Sequence, residues 1–104
     1  MVSAPAPVAA VTPPLFNAAY LDNQPPSYPP LSRRMGEQGR VVLRVLVDAN
    51  GSAGQVEVRA SSGSQRLDES ARATVSGWKF VPAKRGGEPF AEWVLVPISF
   101  KLEG

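Results

Sequence analysis

The 104-residue chain contains no cysteine and no histidine. Without thiols there is no disulfide frame, no thiolate metal site and no cysteine nucleophile. Without imidazole the commonest general base and the commonest metal ligand are missing. No apolar run approaches the roughly 18 residues that a membrane-spanning helix takes. The opening Met1-Val2-Ser3-Ala4-Pro5 lacks the basic start and apolar stretch of a signal peptide. Charge is sparse as well: 11 Lys and Arg against 9 Asp and Glu leave a net +2, too weak to suggest a nucleic-acid surface.

The carboxylates that are present do not converge. Asp48 falls in a turn, Glu57 on an outward strand position, and Asp68 and Glu69 at a helix start, where neighbours in sequence do not face each other. No metal-ligand spacing, phosphate-binding glycine loop or nucleophile elbow appears. Composition and motifs therefore argue against an enzyme and predict neither a metal nor a cofactor. Arg33, Arg34, Arg40 and Arg44 read first as a solvated basic face, with contact to phosphates or acidic groups as the alternative.

Proline is what the chain has in excess, and it is unevenly placed. Eight of the 11 prolines lie in the first thirty residues, and no charge precedes Asp22. Residues 1–24 therefore read as a proline- and alanine-rich linker, extended or disordered, entered partway along its length. Residues 25–104 read as one small domain. Within the tail, Leu15–Leu21 is an apolar interruption, expected either to pack loosely on the domain or to add to an open sheet edge. Tyr28, between prolines, is expected to be pinned against the body.

The domain has a legible order. Pro30–Gly36 can form a short helix with Leu31 and Met35 on one face. Arg40–Asp48 alternates, with Val41, Leu43, Val45 and Val47 on one side. Asp48-Ala49-Asn50-Gly51 is a turn. Gly54–Ala60 returns with Val56, Val58 and Ala60 inward, which predicts an antiparallel hairpin. Gln65 to about Trp78 has helical spacing through Leu67, Ala71, Val75 and Trp78, and the preceding serines can cap it. Lys84–Pro89 is expected to be an exposed loop.

The last segment decides the architecture. Val94, Val96, Ile98, Phe100 and Leu102 share one face, while Pro97 has no N–H to give a ladder and so belongs on an edge. A helix separates this strand from the hairpin. Its place is therefore beside the first strand, which predicts an α+β fold: a three-stranded antiparallel sheet of order 2-1-3, one helix across it and a short helix before it. The final strand then has one open side. Such an edge invites an extended partner to add as a further strand.

The motifs in order are Tyr28-Pro29, Gly39-Arg40-Val41, Val47-Asp48-Ala49-Asn50-Gly51, Ser61-Ser62-Gly63, Leu67-Asp68, Trp78-Lys79-Phe80-Val81-Pro82-Ala83, Gly87 and Val96-Pro97-Ile98-Ser99-Phe100. Together they resemble the C-terminal domain of TonB, the energy transducer of Gram-negative bacteria. The resemblance covers Pro25 to Leu102. It implies a periplasmic domain, joined by a proline-rich segment to an inner-membrane anchor outside this sequence and through that anchor to an ExbB/ExbD-type complex.

Such a domain would carry energy from the proton motive force to outer-membrane transporters for siderophores, haem or cobalamin, by binding their TonB box. The binding residues implied are Trp93, Leu95, Pro97, Ser99 and Lys101 on the last strand, with Tyr28 and Gln24 beside it. One more residue separates Gln24 from Tyr28 than the family pattern has. Isolated fragments of relatives form strand-exchanged dimers, which leaves a homodimer open. The alternative is a TolA-like envelope tether or a peptidoglycan-binding domain.

Overall fold

The structure is a computed structural model and describes residues 11–18 and 21–103. The proline–alanine run through residue 10, and Ala19 and Tyr20 within the apolar interruption, lie outside the described residues.

The elements in chain order are β1 (Val11–Thr12), α1 (Pro30–Arg34), β2 (Gly39–Val47), β3 (Ala53–Ala60), α2 (Gln65–Ser76), β4 (Ala83–Arg85), β5 (Glu88–Phe90) and β6 (Glu92–Phe100). The main sheet has the order β3-β2-β6, antiparallel throughout, which is the 2-1-3 arrangement expected from Pro97. A second small sheet, β1-β4-β5, joins the first strand of the chain to the two short strands between α2 and β6.

The core forms where the alternating faces of the main sheet meet α2. Val41, Leu43, Val45 and Val47 of β2 are all fully buried, joined by Val96, Ile98 and Phe100 of β6 and by Leu67, Ala71 and Val75 of α2. Leu67, Ala71 and Val75 are spaced four apart, which puts one stripe of the helix on the sheet. Ser64 caps that helix, its hydroxyl accepting from the Leu67 amide at 3.4 Å. The helix packs over β3 and β2. The β6 side of the same face is met by the chain before α1, where Tyr28 sets its ring edge-on to Phe100.

Two expectations need correction, and the places of two apolar segments are defined. Lys84–Pro89 is not an open loop but the hairpin β4–β5, turning at Gly86 and Gly87, both at positive φ (57° and 84°). A two-residue turn that follows strand twist requires this region, and glycine enters it without penalty.

Ala60 is not inward. The β2–β3 register shifts between Val42 and Leu43, so Ala60 sits opposite Val42 and is exposed. One extra residue in a bulge exchanges the two faces of everything beyond it.

In α1 the buried residue is Ser32, while Leu31 and Met35 are 41% and 59% exposed. The helix is little more than a single turn, with no side-chain cap at its start.

Of the two alternatives for Leu15–Leu21, Leu15 takes packing on the domain and stays away from the last strand. It exchanges two backbone hydrogen bonds with Val81 (3.0 and 2.8 Å), and β1 pairs with β4.

Candidate docking edge

β6 pairs with β2 in one unbroken register, from Gly39 opposite Phe100 to Val47 opposite Glu92. Among the described residues no strand pairs with its other side. The direction of each backbone group follows from three local facts. Pro97 carries no N–H, so it fits an intact ladder at a position whose nitrogen faces outward. The Trp93 amide donates to the Glu92 carboxylate at 2.9 Å, and so is turned away from β2. The Leu102 amide donates to the Gln38 side chain at 2.8 Å, beside the start of β2, and so is turned toward it. Odd-numbered residues of β6 thus present their backbone groups to the open side, and even-numbered residues bond β2.

β3 also has an open side, but the two edges differ. Register shifts near both ends of β3 leave a short regular stretch, with Glu57 and Arg59 projecting from it. Bulges and charges of this kind blunt an edge against strand addition. β6 is regular over its whole length, and its outward-facing residues between Trp93 and Ser99 are uncharged.

The residues singled out in the sequence fall into two groups. Trp93, Leu95, Pro97 and Ser99 lie on the sheet face away from α2, opposite Leu46, Arg44, Val42 and Arg40. Leu95 is 51% exposed. Trp93 is half-buried beneath Arg44, whose guanidinium carbon stands 3.7 Å from the ring centroid. Arg44 also pairs with Glu57 of β3 at 3.2 Å. One guanidinium therefore ties the edge strand to the far strand across β2.

Gln24 and Tyr28 lie on the other face. The Gln24 carbonyl accepts from Trp78 Nε1 at 2.7 Å, and the Gln24 side chain is exposed, reaching Asp22 at 3.4 Å. The Tyr28 hydroxyl donates to the Glu37 carbonyl, and Arg33 sits 5.4 Å from the Tyr28 ring centroid. Between them the Ser27 carbonyl accepts from Ser70 of α2 at 2.6 Å. Lys79 bridges Ser52 near the β2–β3 turn, whereas Phe100 is opposite Gly39. The extended run Asn23–Pro29 therefore passes from the Glu92 end of β6 to its Phe100 end. Tyr28 and Lys101 meet there, lining one shallow cleft with Arg33, Leu102 and Glu103.

Two functional side chains were not apparent from sequence. Asn23 acts as a backbone mimic: its amide donates to the Phe16 and Lys79 carbonyls (3.0 and 2.7 Å), and its oxygen accepts from the Lys79 amide (2.9 Å). An Asn just ahead of a Gln and a Pro-Pro pair is the only signal, and it is a common one. Asp68 stands out in the sequence only by its place at the helix start. It accepts from the Ser62 amide (2.9 Å) and hydroxyl (2.7 Å) and from the Ser61 hydroxyl, fastening the β3–α2 loop.

The electrostatics are those of a scaffold. Burial raises the Asp68 carboxyl, but the Ser61 and Ser62 donors outweigh it and hold the group below its ordinary value. Glu37 is also held low, first by the facing Ser32 hydroxyl, with burial opposing and Ser64 and Arg66 assisting. The Ser32 hydroxyl itself is buried without a hydrogen bond of good geometry. Among the described residues no cluster of carboxylates is placed to hold a metal ion, and no helix is long and apolar enough to cross a membrane.

Residues 24–102 match the family described as Gram-negative bacterial TonB protein C-terminal. The chain belongs to the TonB C-terminal family. It is 52% identical over 89 residues to protein tonB2 of Pseudomonas aeruginosa, an alignment covering 86% of this chain and 33% of that protein. It is 39% identical over 79 residues to protein TonB of Vibrio cholerae, covering 76% of this chain and 32% of that one. A solution NMR structure of the Pseudomonas aeruginosa TonB C-terminal domain superposes with a TM-score of 0.69 at 26% identity, over 90% of this chain and 88% of that one. The chain thus spans about a third of the length of each of these two proteins. The TonB family is not one of enzymes.

Proposed function

We propose that this domain is the outer-membrane-facing end of a TonB-type energy transducer. It works in the periplasm, and it binds the TonB box of transporters for siderophores, haem or cobalamin by strand addition to β6. The observation that carries the reading is the unpaired, regular edge of β6, in contrast to the bulged edge of β3. The family membership supplies the partner class. The rest of the transducer, an inner-membrane anchor engaging an ExbB/ExbD-type complex driven by the proton motive force, belongs to the same proposal.

The energetics suit a partner that is gripped and released. Each backbone hydrogen bond of an added strand contributes roughly 1 kcal/mol net. Association and ordering costs of several kcal/mol absorb much of the sum, so a micromolar Kd is expected. Backbone pairing reads little of the partner's side chains, so one domain serves transporters with different TonB boxes. Side-chain contacts from Leu95 and Ser99 on one face, and from Gln24, Tyr28 and Lys101 on the other, would supply the remaining affinity.

The test is titration of the isotope-labelled domain with a synthetic TonB-box peptide, followed by amide chemical shifts. Shifts concentrated on Trp93–Lys101 support the reading. Shifts centred on β3 or α2 remove it, and retention on peptidoglycan without any peptide response replaces it with an envelope tether.

A further inference from the structure

The open side of β6 is not a uniform ladder, and its irregularity restricts what can dock. Outward-facing amides belong to the odd-numbered residues, and two of these are withheld. Trp93 spends its N–H on the Glu92 carboxylate, and Pro97 has none. The free donors of the strand are Leu95 and Ser99. Carbonyls suffer no such loss: those of Trp93, Leu95, Pro97 and Ser99 all face outward. The edge therefore offers more acceptors than donors.

We propose that this edge selects an extended peptide by its free amides. The occupant must present an N–H at each alternate position facing Trp93, Leu95, Pro97 and Ser99, and it is excused from offering a well-paired carbonyl opposite Pro97. Proline in the peptide is rejected at the facing positions and accepted at those between. This rests on the strand-addition reading above and adds the rule by which a partner segment is admitted. The rule holds for parallel or antiparallel docking, because either orientation turns alternate residues of the added strand toward the edge.

Glu92 has a specific part in this. Its carboxylate closes the edge at Trp93, so pairing through donors begins at Leu95. It is a positioning residue for the register of the visitor. It is exposed at the first position of β6, and its pairing with Val47 of β2 is a backbone one that does not involve the carboxylate.

The experiment is a proline scan of a short synthetic TonB-box peptide, with affinity measured by calorimetry and contact mapped by the amide spectrum of the domain. A proline at a facing position removes a donor and places a ring against an acceptor. Binding should weaken about tenfold there and less than about twofold at the intervening positions, giving a period of two. In parallel, the Trp93 amide should stay fast-exchanging in the complex with the parent chain and become protected in the complex with Glu92→Ala.

If the parent peptide shifts β6 amides but proline weakens it equally at every position, the donor rule is wrong and docking at β6 stands. Protection of Trp93 in the unsubstituted complex likewise overturns the role of Glu92. If the parent peptide leaves β6 amides unmoved, the docking reading falls and the rule with it.

Discussion

Arg44 sits over Trp93, its guanidinium carbon 3.7 Å from the ring centroid, while its Nη1 reaches Glu57 at 3.2 Å. The contact joins the edge strand to the centre of the sheet on the face away from α2. An exposed ion pair of this kind is worth little by itself. The cation–π contact is expected to supply about 0.5–1 kcal/mol. A double-mutant cycle with Arg44→Ala and Trp93→Ala, read by chemical denaturation, should return a coupling of that size. The Arg44–Glu57 cycle should return less.

Asn23 holds the polypeptide before α1 against the segment after α2 through Phe16 and Lys79. The pairing occupies both sides of the Lys79 peptide and places Gln24 over Trp78. Asn23→Ala is expected to cost about 0.5–1.5 kcal/mol, the net range for a hydrogen bond, since the Lys79 groups it releases are exposed to water. The local signature is more specific: the Lys79 amide should lose its protection from hydrogen exchange while the β2 amides keep theirs.

Asp68 fastens the Ser61–Ser62 loop to the first turn of α2. Its carboxyl is lowered in the folded state, so the folded protein binds its proton less readily than the unfolded chain. That stabilisation is complete above the ordinary aspartate range and is lost as pH falls through the lower folded value. Replacing Asp68 with Asn should reduce stability at neutral pH by about 1–2 kcal/mol and flatten the acid limb of the stability curve. Denaturation midpoints measured from neutral to strongly acidic pH check both effects.

Gly51 has a φ of 86°, and a Cβ there would clash with the Phe80 carbonyl oxygen. The Phe80 amide in turn donates to the Gly51 carbonyl at 2.8 Å. The β2–β3 turn and the segment entering β4 are thus in backbone contact, with no room for a side chain. Gly51→Ala combines a left-handed backbone with a clash and should cost about 2–4 kcal/mol. Gly63→Ala, also at positive φ but with open space around it, should cost less; thermal melts compare the two.

What the sequence made legible was set by strong periodicity and by single decisive residues. The alternation of Val41, Leu43, Val45 and Val47 marked the central strand, and Pro97 fixed the edge. The β4–β5 hairpin escaped because its strands are three residues each and carry Lys84, Arg85, Glu88 and Pro89, which read as a solvated loop. Only Gly86-Gly87 signalled the turn. The outward position of Ala60 was hidden because a bulge has no composition of its own.

The candidate site was legible as a strand but not as a geometry. That Trp93, Leu95, Pro97 and Ser99 lie on one face, with Gln24 and Tyr28 on the other, depends on α2 covering β3 and β2 and leaving the β6 side to Tyr28 and its neighbours. Helical spacing specifies which stripe of α2 is buried, not which strands it crosses.

The most direct measurement is amide hydrogen exchange of the domain with and without a bound TonB-box peptide, resolved by residue. Slowed exchange at Leu95 and Ser99, with the amides of β3 unchanged, is the predicted result. Exchange at Leu95 and Ser99 that stays as fast in the complex as in the free domain would contradict docking on β6.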